Sequence, residues 1–303
     1  MEELDAVRLN FSSDSLWVLN VVLAILLFGV ALELKTADFK RLADNPRASL
    51  IGIACQFLLL PAITFGLVWA VRPHPSIALG MMLVAACPGG NISNFLTHFA
   101  RGNTALSVSL TAIGTVLAIV ATPLNLAVWA GWYPPTSGLL RHISLDPWNM
   151  IQTIVTLAGL PLALGMLVAH YTPALAKKLT VYVKPLSILV FVAFVLLAFG
   201  NNVDHFQRHI HRVAVLVFVH NALALLTGFW AARWGGLSLT DQKTIALETG
   251  IQNSGLGLIL IFRFFDGMGG MALVAAWWGI WHIVSGLALA YYWSRGHATQ
   301  PVS

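Results

Sequence analysis

Apolar residues recur in nine long runs, approximately 15–34, 47–71, 76–100, 103–131, 148–170, 178–200, 213–233, 242–263 and 271–293. Each is close to the ~20 residues that a helix needs to cross a hydrocarbon core. With 58% hydrophobic and 10% charged residues and a mean hydropathy of +0.79, no water-soluble globule can bury this chain. The sequence therefore predicts an all-α polytopic membrane protein of about nine transmembrane helices. Its formal charge of +5 is no nucleic-acid signal, because in such a chain basic residues mark the loops that stay in the cytoplasm. No nucleic-acid partner and no obligate protein partner are expected.

Loop charge predicts an orientation. If nine spans alternate, Lys35, Lys40, Arg41, Arg47, Arg101, Lys177, Lys178, Lys184, Arg233, Lys243 and Arg295 share one side, 11 of the 17 basic residues. Arg8, Arg72, Arg141, Arg208, Arg212 and Arg263 take the other. The bias places the N-terminus outside and the C-terminus in the cytoplasm of a plasma or inner membrane. Residues 1–14, with Glu2, Glu3, Asp5 and Asp14, are too acidic for a signal peptide and are expected to persist as an outer segment. Residues 295–303 form a cytoplasmic tail. Cys55 and Cys87 fall inside apolar runs and are expected as free thiols.

Prolines punctuate the runs. Pro46, Pro73, Pro75, Pro134, Pro135, Pro147, Pro173 and Pro185 are read as connections, and Pro61, Pro88, Pro123 and Pro161 as kinks inside spans. Arg263, Asp266, Arg208, His209, His211 and Arg212 are read as solvated or snorkelling groups at or beyond span ends.

Two runs are interrupted by polar residues. Glu248-Thr249-Gly250-Ile251-Gln252-Asn253-Ser254-Gly255 sets a carboxylate, two carboxamides and two glycines in the eighth span. A carboxylate near a bilayer midplane costs at least ~2.5–3.5 kcal/mol, so it marks a site with a partner cation or proton. The glycines point to a broken helix whose freed backbone groups a cavity or bound ion must satisfy. Cys87-Pro88-Gly89-Gly90-Asn91-Ile92-Ser93-Asn94 interrupts the third span in the same way. The breaks are five spans apart and so run in opposite directions. An inverted repeat gives that spacing if its first copy lacks one helix: four helices in residues 15–131, five in 148–294, within one transmembrane domain of residues 15–294.

Further polar groups fit faces around the breaks. Ser107 and Thr111 are four apart, with oxygens suited to a hard cation; Glu248 and Gln252 likewise share a face. Gln56, five residues before Pro61, is positioned to look into the same cavity. No nucleophile with its base and no His-Glu-x-x-His spacing occurs, so an enzyme is not expected. No transition-metal site is read.

The run Ala85-Ala86-Cys87-Pro88-Gly89-Gly90-Asn91-Ile92-Ser93-Asn94, with Ala100-Arg101-Gly102-Asn103 and Ala105-Leu106-Ser107-Val108, resembles the signature of the bile acid:sodium symporter family. Glu248 with Gln252-Asn253, and Trp281-His282, resemble its second-repeat motifs, and the match runs from Phe28-Gly29 to His282. The resemblance implies core and panel domains, two crossing discontinuous helices, and sodium-coupled symport of an organic anion by alternating access. It implies a first sodium site at Ser93, Asn94, Ser107, Thr111 and Glu248. A second would use Gln56, Glu248 and Gln252 with the carbonyls of Thr249 and Ile251. The anion, bile acid-like or a small carboxylate such as pantoate, would sit near Asn91, Asn253 and His282. Two co-transported sodium ions would balance Glu248 and a monoanionic cargo. The chain departs from the family pattern at Ile283, where Asn is expected, and at Asn91, where Ser or Thr is usual. Many bacterial members begin with an extra helix, and this chain is closer to the nine-helix vertebrate type. A cation/proton antiporter or a proton-coupled anion transporter is the alternative, although an antiporter is expected to carry Asp where Asn94 stands.

Overall fold

The computed structural model describes residues 13–32, 45–143, 147–200 and 203–295, and among these the regular structure is helical apart from one isolated antiparallel bridge. Residues 1–12, Lys35, Lys40, Arg41 and the tail beyond Arg295 lie outside the described residues. The helices are α1 (Ser13–Ala31), α2 (Pro46–Val71), α3 (Pro75–Ala86), α4 (Ile92–Phe99), α5 (Thr104–Trp132) and α6 (Pro134–Ile143). There follow α7 (residues 147–171), α8 (Pro173–Gly200), α9 (Val203–Trp234), α10 (Leu239–Gly250), α11 (Ser254–Phe264) and α12 (Gly269–Arg295). Among the described residues, five stretches are long and apolar enough to cross a membrane: Pro46–Val71, Thr104–Trp132, Trp148–Tyr171, Val213–Trp234 and Gly269–Arg295.

Both expected breaks are present. The third apolar run divides into α3 and α4, and the eighth into α10 and α11. At ~1.5 Å per residue, the 12 residues of α3 reach little more than halfway through a ~30 Å core, so α3 and α11 are half-helices. Apolar all round, both are sheathed by protein: Ser76–Ala86 and Ser254–Phe262 are buried, and both helices pack on α12. Helices meet where a side chain would not fit. A Cβ on Gly80 would lie 2.8 Å from the Cα of Met271, one on Gly165 2.5 Å from the Cβ of Ala31, and one on Gly228 2.5 Å from the carbonyl oxygen of Ile245.

The prolines divide differently from the sequence reading. Pro61 and Pro161 each follow a π turn, Cys55–Leu59 in α2 and Val155–Gly159 in α7. The widened turn moves the carbonyl that the ring would strike, so the helix continues. Pro123 lies inside α5, and Pro185, read as punctuation, lies inside α8. Residues 134–143, read as a connection, form α6. Cys55 and Cys87 are free and buried, as expected.

Candidate functional site

The site forms where the two breaks meet. Each break leaves a few residues of extended backbone, and these pair antiparallel at Gly89 and Gln252. Gly90 N–H donates to the Ile251 carbonyl at 2.7 Å, and Asn253 N–H to the Pro88 carbonyl at 2.8 Å. Four backbone groups that helix ends would leave orphaned in an apolar interior are thereby satisfied. Glycine is required here: a Cβ on Gly89 would lie 2.6 Å from Glu248 Oε1, and one on Gly90 2.9 Å from the Gln252 carbonyl oxygen.

Glu248, in the last turn of α10, is buried among hydroxyls. Ser93 of α4 and Ser107 of α5 donate to its Oε2 at 2.7 and 2.9 Å, and Thr111 of α5 donates to Oε1. The Thr111 hydroxyl also lies 3.3 Å from Asn94 Oδ1. One network thus holds Ser93, Asn94, Ser107, Thr111 and Glu248, which come from three helices. These are oxygen ligands for a hard cation. Among the described residues no group of three His, Cys, Asp or Glu side chains is placed to hold a metal ion.

Gln56 sits in the π turn of α2 and ties the two breaks together. Its Nε2 donates to the Cys87 carbonyl at 2.8 Å and to Gln252 Oε1 at 2.7 Å. Gln252 Nε2 donates to the Thr249 carbonyl at 2.6 Å and approaches Gln56 Oε1 at 3.3 Å. Gln56 and Glu248 also line a cavity of about 10 Å3, room for one water or ion, beside Gly89 and Gly114. The carbonyls of Thr249 and Ile251 each accept one hydrogen bond, which leaves each a second lone pair.

The residues expected around an anion are less closely joined. Asn253 caps α11, its Oδ1 accepting from Leu256 N–H at 3.0 Å. Asn91 precedes α4 and makes no capping bond. His282, on α12, is buried with Nδ1 unpartnered, and no hydrogen bond joins it to Asn91 or Asn253.

Sequence reasoning passed over several groups near the site. Asn221 Nδ2 donates to the Gly250 carbonyl, the last of α10, at 2.8 Å, and its Oδ1 accepts from Ser285 at 2.6 Å. Beside it, His220 Nε2 meets the Thr64 hydroxyl at 2.6 Å. A His-Asn pair inside the seventh apolar run was the available signal. Lys243, read as a loop charge, is buried and donates to the Ala100 carbonyl at the end of α4. Asn221→Leu is expected to cost about 1–3 kcal/mol by stranding the Gly250 carbonyl. A lowered melting temperature in detergent checks this; unchanged melting would show that the carbonyl finds another donor.

The sequence model of the Sodium Bile acid symporter family matches residues 20–208. The chain belongs to that family. An uncharacterized sodium-dependent transporter of Bacillus subtilis, YocS, is 35% identical over 293 residues, covering 95% of this chain and 88% of its own length. The probable sodium/metabolite cotransporter BASS1 of Arabidopsis thaliana chloroplasts is 29% identical over 280 residues, 92% of this chain and 67% of its own. The ileal sodium/bile acid cotransporter of Oryctolagus cuniculus is 30% identical over 241 residues, covering 79% and 67%. Membership of the symporter family makes this chain an integral membrane transporter and not an enzyme.

Proposed function

We propose that this chain carries an organic anion across the membrane with two sodium ions, by alternating access around the crossing of α3–α4 and α10–α11. The observation that carries this reading is the buried carboxylate of Glu248, ringed by three hydroxyls from α4 and α5 and, among the described residues, paired with no basic side chain. Sodium at Ser93, Asn94, Ser107, Thr111 and Glu248 would turn the hydroxyl lone pairs toward the ion. A second ion at Gln56, Glu248, Gln252 and the Thr249 and Ile251 carbonyls would replace the Gln56–Gln252 hydrogen bonds. The cargo sits at Asn91, Asn253 and His282. Its negative charge and that of Glu248 balance two ions, so each ligand lowers the cost of burying the other.

An inverted repeat, residues 15–131 and 148–294, underlies the arrangement, with nine spans, core and panel domains and the N-terminus outside. The antiparallel pairing of Gly89 with Gln252 supports it, because breaks in oppositely directed spans meet antiparallel. The cargo is a bile acid-like molecule or a small carboxylate such as pantoate.

Thermal stability of the purified protein in sodium against potassium, with organic anions added to each, tests the reading. A ligand at one hundred times its dissociation constant stabilises by about 2.7 kcal/mol. Stabilisation by an anion in sodium alone is expected, and it identifies the cargo. Indifference to sodium and every anion, with a response to acid pH instead, would replace sodium coupling by proton coupling.

A further inference from the structure

A second cavity lies away from the crossing, at the end of the bundle where α1 and α7 begin and α11 ends. It measures about 360 Å3 and is lined by six polar side chains, Asn20, Asn149, Gln152, Thr153, Thr156 and Arg263, and by two apolar ones. Asn20 comes from α1 and Arg263 from the last turn of α11. The other four recur along α7 at three- or four-residue spacing and so share one face. α1 packs on both α7 and α11, so the cavity lies between packed helices.

An arginine in the last turn of a helix usually snorkels to water or hydrogen-bonds the terminal carbonyls. Arg263 is exposed to water, and it does not do the second. Among the described residues its guanidinium donates to no carbonyl and pairs with no carboxylate, and no acidic group lines the cavity. Five N–H donors in a planar fork therefore face a polar hollow with a net positive charge.

We propose that this cavity is an anion-receiving site. Arg263 takes a carboxylate or sulfonate in bidentate fashion, and the carboxamides and hydroxyls of α1 and α7 hydrogen-bond the polar body of the molecule. The volume is at the lower end for small-molecule pockets, and a mostly polar wall suits a hydroxylated carboxylate better than the apolar body of a steroid. The site shares no residue with the hydroxyl cluster around Glu248. Its role in uptake rests on the transport reading, but its affinity for anions does not.

Asn149→Cys supplies a reporter thiol in the cavity wall, and background is low because Cys55 and Cys87 are buried. The purified full-length protein, in sodium-free potassium buffer, is labelled with sulfonatoethyl methanethiosulfonate and separately with its trimethylammonium counterpart. Adding Arg263→Gln is expected to lower the anionic-to-cationic rate ratio roughly tenfold, about threefold for each reagent, from one unit charge ~6 Å away in water-like dielectric. Arg263→Lys keeps most of the ratio. Lactate and 2-hydroxyisovalerate slow labelling while Arg263 is present and have no effect after Arg263→Gln. An unchanged ratio, no slowing, or equal slowing in both backgrounds overturns the proposal. Stabilisation by sodium, measured alongside, stays intact in Arg263→Gln. If sodium stabilises neither chain while the labelling ratio behaves as stated, the symport reading fails and the anion site stands.

Discussion

Glu248→Ala is expected to abolish sodium-dependent binding while the protein remains folded, and Glu248→Gln separates the two effects more sharply. The carboxylate accepts from Ser93, Ser107 and Thr111, and hydrogen bonds to a charged group contribute about 1.5–3 kcal/mol each, enough to hold it in place without an ion. A glutamine keeps one acceptor for Thr111, and its amide donates to Ser93 and Ser107 once those hydroxyls turn round. The variant therefore folds. In potassium it should melt at or above the parent, because no uncompensated charge is buried. Sodium should then add nothing to its stability, whereas the parent gains the binding term, about 2.7 kcal/mol at one hundred times the dissociation constant. Differential scanning in the two salts measures both. Normal sodium dependence in either variant would refute the assignment of the ion site.

Gly90→Ala is expected to lower both the melting temperature and sodium-driven uptake. Its Cβ would stand 2.9 Å from the Gln252 carbonyl oxygen and 3.2 Å from the carbonyl carbon, both main-chain atoms. Neither can withdraw without stretching the 2.7 Å bond from Gly90 N–H to Ile251, so about 1–3 kcal/mol of overpacking falls on the crossing itself. Gly66→Ala is the control, since a Cβ there meets nothing within 4 Å and α2 should gain roughly 0.5–1 kcal/mol of helix preference. Melting and uptake that are the same for the two variants would mean that the crossing yields easily.

Where the sequence was legible, it was because a residue was out of place. Pro-Gly-Gly and the Glu248–Gln252 run contradict an apolar helix so strongly that both breaks are visible within a residue or two of α3's end at Ala86 and α10's end at Gly250. The hydroxyl pair Ser107 and Thr111 declared itself by helical spacing. What stayed hidden depended on contacts between distant segments. Hydropathy reports burial and not helix continuity, so the charges at 208–212 led the seventh run to start at 213, although α9 begins at Val203. The π turns of α2 and α7 accommodate prolines that local rules read as kinks. Lys243 and Arg263 were both assigned to loop ends by charge. The first proves buried against α4; the second is exposed at the end of α11, as read, and what the sequence does not show is the cavity that it lines with α1 and α7.

The bridge between Gly89 and Gln252 is made of main-chain atoms alone, and that separates two kinds of change. If the cargo sits beside Asn91 and His282 as proposed, substitutions at Asn91 or Ile283 reshape what is accepted without touching the N–H and carbonyl groups that pair the breaks. A framework written in peptide groups is blind to most side chains. On the proposed reading, such a chain can exchange cargo while keeping its crossing, a freedom denied to Gly89 and Gly90 and to Gln56, whose amide also ties the breaks.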